Sequence, residues 1–354
     1  IGTVLLAVPV LLFCWLAPFP SQAIKELGYS QTVLDKEGNV LRVFLGSKDR
    51  WILPVELNEI NPSLVNATIA VEDKRFWNHH GVDLLAVLRS ALLNVTHQKI
   101  LMGASTLSMQ VIRLLEDRPR TFPNKVIEAV HAIWLETVCS KKQILKLYFE
   151  LAPYGGNIHG VQAASWRYFK KRPKDLTLAE CALLAGIPQS PSRLRPDRHP
   201  ERARKRREMV LKSMFANDYI SQKQFAVSNS EPVEARHYSF PFAAPHFGIW
   251  AHKQHPSEPV LQTALDPRLQ EISEKMLRDR LSELSAYGVE NGSVVILENK
   301  TGKIRALVGS NNFFDKDHAG QVNGALSKRS PGSCLKPFTF PIGFDLGQIG
   351  RAHV

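Results

Sequence analysis

Apolar residues recur three and four positions apart in five stretches between residues 61 and 217: "PSLVNATIAVED", "DLLAVLRSALLN", "STLSMQVIRLL", "KVIEAVHAIWLETV" and "LTLAECALLAG". That spacing lines one face of an α-helix and predicts a mostly helical domain. Before it, "QTVLDKEGNVLRVFL" alternates apolar and polar positions around Glu37, Gly38 and Asn39, which predicts a β-hairpin. After it, "NSEPVEARHYSFPFAAPHFGIWAHKQHPSEP" scatters prolines, histidines and aromatics without a period and reads as a segment between domains. Farther on, "LQTALDPRLQEISEKMLRDRLSEL" reads as a short strand and a helix, and "GSVVILENKTGKIRALVGS" as two strands joined by a turn at Lys300 to Lys303. The expected class is α+β and multidomain. Residues 1–17 form an apolar run, 18–50 a linker and hairpin, 51–225 a mainly α domain, 226–260 an interdomain linker, and 261–354 the start of an α/β domain.

The opening "IGTVLLAVPVLLFCWLAPFP" carries no charge before Lys25. At about 1.5 Å per residue its apolar part nearly crosses a hydrocarbon core of about 30 Å. A transmembrane anchor is therefore expected, with Trp15 and Phe19 where interfacial aromatics sit. The competing reading is a cleaved signal peptide, given the small residues Ser21 and Ala23, although the run is long for one. Either way the remainder is expected outside the cytoplasm. The chain starts at Ile1 and stops at "GQIGRAHV", so a piece of a longer protein is expected.

The 354 residues suffice for two domains. Cys14, Cys139, Cys181 and Cys334 are scattered without metal-ligand or disulfide-framework spacing. The formal charge of +12 favours an anionic partner: lipid headgroups, a phosphate-bearing substrate or nucleic acid. The densest basic run, "ERARKRREMVLKSMF" from Glu201, reads as a solvated helix face, and no interleaved aromatics support base stacking.

Three constellations carry chemistry. In "VEDKRFWNHHGVD", Glu72 and Asp73 fall at the end of an expected helix beside Phe76 and Trp77, and Gly81 suits the turn before a helix capped by Asp83. A carboxylate desolvated there would have a raised pKa and could serve as a general acid or base; a solvated helix end is the plain alternative. In "MGASTLSMQVIRLL", Ser105 or Thr106 can cap a helix whose free N–H groups would bind an anion, with Gln110 and Arg113 on the face of Thr106. In "NKVIEAVHAIWLE", Lys125 and Glu128 are neighbours on one helix, as an exposed ion pair or as part of a site.

Taken in order, these segments resemble the peptidoglycan glycosyltransferase domain of class A penicillin-binding proteins. The family pattern E-D-x-x-F-x-x-H-x-G is met by Glu72, Asp73, Phe76, His79 and Gly81, G-x-S-T-x-x-x-Q by Gly103, Ser105, Thr106 and Gln110, and K-x-x-E by Lys125 and Glu128. The similarity runs from about residue 33 to residue 204. "RSPGSCLKPF" adds S-x-x-K at Ser333 and Lys336, similar to the nucleophile motif of the family's transpeptidase domain, in which the lysine takes the serine proton. No later S-x-N or K-T-G motif follows within the sequence, and "SNN" at Ser310 reads as chance. The resemblance implies a lysozyme-like, mainly α glycosyltransferase domain followed by a truncated α/β penicillin-binding transpeptidase domain.

It also implies polymerisation of lipid II onto a growing glycan chain. Glu72 would be the base, with Glu128, Ser333 and Lys336 as the other catalytic residues. Asp73, Phe76, His79, Ser105, Thr106, Gln110, Arg113 and Lys125 would bind or support substrate. Glu128 would either orient Lys125 or hold a divalent cation. No cofactor is required by the sequence, and magnesium or manganese could sit at the pyrophosphate. The partners implied are the membrane, and β-lactams at Ser333 in the full-length protein, with no nucleic acid. The location implied is the bacterial inner membrane, single-pass, with catalytic domains on the periplasmic side. Three positions depart from the family pattern: Asn124 stands for an Arg, Lys146 for a Glu and Glu150 for an Asn. Cys334 beside the nucleophile has no physical explanation. A decayed scaffold and a lysozyme-type hydrolase are the readings from other classes.

Overall fold

Helices start where the sequence supplies caps. The computed structural model describes residues 18–97, 105–116, 118–119 and 121–348. The expected anchor over residues 1–17, and Gly103 of the second motif, lie outside the described residues. Among the described residues no helix is long and apolar enough to cross a membrane. The chain divides into two units. One comprises residues 1–34, 40–242 and 255–261, and the other residues 35–39, 243–254 and 262–354.

The first unit is mainly helical. After a short helix α1 (Ser21–Lys25), helix α2 (Pro62–Glu72) starts at Asn61, whose side chain accepts from the Ser63 N–H at 2.9 Å, with Pro62 at the first turn. Helix α3 (Leu84–His97) starts at Asp83, which accepts from the Ala86 N–H, as the sequence predicts. Then come α4 (Leu107–Glu116), α5 (Phe122–Val138), α6 (Lys141–Leu151), α7 (Val161–Phe169), α8 (Leu178–Gly186), α9 (Pro200–Ala216) and α10 (Gln222–Ser230). A reciprocal capping box between Thr177 and Glu180 opens α8. That helix is apolar on nearly every face and buried from Cys181 to Gly186, because α2 and α9 pack on it and on each other.

Two small sheets complete this unit. Strand β1 (Thr32–Leu34) pairs antiparallel with β2 (Val40–Val43), with Val33 opposite Arg42, in the expected hairpin. Strands β3 (Trp51–Ile52), β4 (Pro153–Gly155) and β5 (Ile158–His159) form a second sheet, with β3 parallel to β5. The first sheet gains a third strand, β6 (Val260–Gln262), beside β1.

Residues 201–215 form the expected solvated face at Glu201, Arg202, Arg204, Lys205 and Lys212, but two of the arginines turn inward. Arg207 is fully buried, and its guanidinium donates to the carbonyls of Asn229 and Glu231 at the end of α10. Its neighbour Arg206 is partly buried and donates to the Gly186 carbonyl at 3.3 Å, satisfying the open end of α8. One basic run thus fastens three helices.

The second unit is mixed. Helix α11 (Pro245–Gln254) falls in the segment expected as an aperiodic linker, where Pro245 starts a helix that buries His246, Phe247 and Ala251. Helix α12 (Pro267–Leu284) is capped by Asp266 and packs on the antiparallel pair β7 (Val294–Leu297) and β8 (Ile304–Val308). The Gln270 amide exchanges two hydrogen bonds with the backbone of Leu307. Ser310 is spent on structure: buried, it donates to the Gly320 carbonyl and meets His246 Nε2. Helix α13 (Lys336–Asp345) follows a 3-10 turn at Gly332–Leu335.

Replacing Arg207 with alanine removes two charge-assisted hydrogen bonds and opens a cavity. We expect R207A to lose about 3 kcal/mol of stability, measured by urea unfolding, and an unchanged midpoint would refute the anchoring role.

Candidate active site

The two adjacent acids of the first motif separate at the end of α2. Asp73 is the residue that ends the helix, and it is buried. Its Oδ2 accepts from the Leu107 N–H at 2.9 Å and meets His79 Nε2 at 2.9 Å. Thr106 accepts from the Met109 N–H and donates to the Gly81 carbonyl. The first turn of α4, expected to offer free N–H groups to an anion, is therefore already capped by Asp73 and Thr106.

Gly81 has φ +85°, and a Cβ there would stand 2.6 Å from the backbone of Ala132 on α5. Only glycine lets these segments meet. Phe76 is fully buried between the His79 ring edge and the Lys141 ammonium, 4.5 Å from its centroid. Asp73, Phe76, His79 and Thr106 lie behind the site and hold its parts together.

Glu72 is turned the other way. It lines a cavity of about 500 Å³ with Ser105, Gln110, Arg113, Lys125 and Glu128, so six of the residues singled out in the sequence share one space. Gln110 donates to Glu72 Oε2 at 2.8 Å. Burial raises the Glu72 pKa above its ordinary value, against the bond from Gln110 and the charges of Arg206 and Arg113, which favour the ionised form. Glu128 is buried on α5, while Lys125 one turn earlier is exposed in the cavity mouth.

Arg206 also lines this cavity, although no motif in the sequence marks it. The partial signal available was its place in α9 four residues before the buried Val210, on the side that packs inward. Ser213, seven residues on, donates to the Ala70 carbonyl at 2.6 Å and ties α9 to the helix that ends at Glu72.

The departures from the family pattern lie outside the cavity wall. Asn124 bonds the Pro119 carbonyl at 2.9 Å, Lys146 pairs with Glu56, and buried Glu150 accepts from the Val55 N–H. Among the described residues no group of three or more His, Cys, Asp or Glu side chains could hold a metal ion. In the second unit Ser333 and Lys336 are both exposed, and the Lys336 N–H donates to the Ser333 carbonyl at the start of α13.

A helical unit whose cavity sets a desolvated carboxylate among basic side chains is the build of an enzyme that activates a hydroxyl beside an anionic group. The family model described as Transglycosylase matches residues 37–215, about half of the chain. The chain belongs to the transglycosylase family. It is 36% identical over 359 residues to penicillin-binding protein 1C of Escherichia coli K12, covering 99% of this chain and 46% of that protein. Penicillin-binding protein 1F of Bacillus subtilis is 31% identical over 325 residues, covering 87% and 44%. The chain thus spans less than half the length of these relatives. Among solved structures, penicillin-binding protein 1A from Haemophilus influenzae matches with a TM-score of 0.36 at 20% identity, covering 78% of this chain and 32% of that one.

The raised Glu72 pKa has a definite sign in stability. Below 4.5, its ordinary value, the carboxyl is protonated in folded and unfolded chains alike. As pH rises past that value the unfolded chain ionises first, and the folded state loses relative stability until its own raised pKa is passed. Glu72→Gln should therefore stabilise the protein at pH 7.5 and leave it unchanged at pH 4. Urea titrations at the two pH values test this, and equal effects at both would contradict it.

Proposed function

We propose that the chain is a peptidoglycan glycosyltransferase that polymerises lipid II with inversion and release of polyprenyl pyrophosphate. The observation that carries this is the desolvated Glu72 carboxylate, held by Gln110 and sharing one cavity with Arg113, Lys125 and Arg206. Glu72 takes the proton of the acceptor sugar hydroxyl as its oxygen bonds to the anomeric carbon of the growing chain. The bond from that carbon to the pyrophosphate oxygen breaks, and the electron pair leaves with the pyrophosphate. Because that leaving group is good, no second carboxyl is needed as acid, in contrast to glycosidases. Arg113, Lys125 and Arg206 neutralise the charge that develops on it, with Ser105 as a donor beside them.

Glu128 supplies a single buried carboxylate. That fits magnesium or manganese in the mode that takes one or two carboxylates and completes its shell with phosphate oxygens and water, adding charge neutralisation at the leaving group. The same carboxylate equally fits the orienting of Lys125, one turn away.

Support for a membrane setting comes from the surface. Leu84, Leu85 and Leu88 of α3 are exposed, and so are Phe122, Val126, Ile133 and Val138 of α5. Apolar faces of that extent suit a lipid surface, where a polyprenyl substrate resides. We assign the chain accordingly to the outer side of a bacterial inner membrane, with residues 1–17 as anchor. Acylation of Ser333 by a β-lactam is assigned to a protein that also carries the later transpeptidase motifs.

With purified protein in detergent, lipid II should become glycan strands, and Glu72→Gln should slow this by about 10²–10⁴-fold while the fold is kept. Polymer formed at the normal rate by E72Q would remove Glu72 as the base, and cleavage of mature peptidoglycan would support a lysozyme-type hydrolase instead. The acid limb of kcat/KM should lie above pH 4.5. Gln110→Leu, which deletes a bond to the ionised carboxylate, should move that limb to higher pH; a shift downward would show the bond to favour the protonated form.

A further inference from the structure

The cleft continues past Arg206. Gln189 and Arg206 line a second cavity of about 540 Å³, whose wall also carries Arg193, Arg202 and Lys205 and no acidic residue. Arg202, Lys205, Arg206 and Met209 are spaced along one face of α9, and Arg193 enters from the loop before it. Among the described residues Arg193, Arg202 and Lys205 form no ion pair, whereas Arg204 on the same helix pairs with Glu201 away from the cavity. Four like charges around one space repel each other and favour an anion between them.

We propose that this annex binds the carboxylates on the peptide arm of the glycan substrate, an inference that rests on reading the adjoining cleft as a peptidoglycan glycosyltransferase. Glu72 is absent from the annex wall, so what binds there does not react. The saccharide rings are themselves neutral. The anions of the substrate away from the reacting bond are the carboxylates of its peptide and the pyrophosphate retained on the second lipid-linked molecule. Leu194 and Met209 also line the annex. A peptide presents methyl groups between its carboxylates and uses such a wall; the lipid-linked pyrophosphate carries an apolar chain of its own, and competition by inorganic pyrophosphate separates the two. The volume is that of a site for a short peptide segment. Because the contact is the same before and in the transition state, its loss raises KM and leaves kcat unchanged.

The test uses the 354-residue chain and a soluble, lipid-free disaccharide-peptide without pyrophosphate, with binding followed by titration calorimetry. Wild type should bind it, with affinity falling as salt is raised. The exposed triple variant R193A/R202A/K205A should bind roughly tenfold more weakly, and amidating the peptide carboxylates should weaken wild-type binding as much. With lipid II the same variant should show a raised KM at unchanged kcat, and R193K/R202K should restore most of the affinity. Equal binding by wild type and triple variant, or indifference to amidation, would overturn the proposal. So would competition by inorganic pyrophosphate that the triple variant abolishes, since that would assign the annex to the retained pyrophosphate. E72Q should bind the disaccharide-peptide normally. If wild type fails to polymerise lipid II yet binding still follows the annex charges, the proposed function falls and the annex stands.

Discussion

One buried carboxylate sets the register of the cleft. Asp73 Oδ2 accepts from the Leu107 N–H and from His79, so it joins the end of α2, the loop that leads to Gly81 and the start of α4. Burying a carboxylate costs several kcal/mol unless its lone pairs are used, and here two donors use them. With Leu107 fixed against Asp73, Gln110 one turn later arrives beside Glu72 and bonds it. Gly81 then permits α5 to close on the same loop, which brings Lys125 and Glu128 to the cavity. The site is assembled by hydrogen bonds made behind it.

That arrangement gives two adjacent acids opposite environments. Asp73 spends its charge on backbone and imidazole donors. Glu72, one residue earlier, keeps one bond and a view of the cavity, so burial lifts its pKa while the arginines hold it down. Pairs of carboxyls divided in this way are how a protein obtains one structural and one chemical acid from the same short segment. Tyr148 and Tyr154 are pushed further from ionising by their burial and, second to it, by the Glu72 charge.

Much of this was legible in the sequence. The helical periods between residues 61 and 217, the hairpin around Gly38, and the motif residues that gather at the cavity all stand out as local patterns. What was not legible depends on partners distant in the chain. The anion site expected at the start of α4 is closed by Asp73, thirty-four residues earlier. Arg206 and Arg207 look like their neighbours in "RARKRRE", and only the packing of α9 on α8 and α10 separates the buried pair from the solvated ones. Strand β6 joins β1 from more than two hundred residues away, and no turn chemistry announces it. Helix α11 was hidden by prolines, one of which merely starts it.

The balance at Glu72 also bears on when the base acts. In the free protein Arg206 and Arg113 favour its ionised form, which suits a group that must be unprotonated before it accepts a proton. A pyrophosphate entering the cavity would be paired by those same arginines and by Lys125, withdrawing their field from the carboxylate and adding negative charge nearby. On the proposed function, both effects would raise the proton affinity of Glu72 while the acceptor hydroxyl is deprotonated, and the returning arginine field would release the proton to solvent once the pyrophosphate departs. The basic wall would then do more than steady the leaving group: it would make Glu72 a stronger base only while a donor is bound, so the base would be at its strongest when it has a donor to serve.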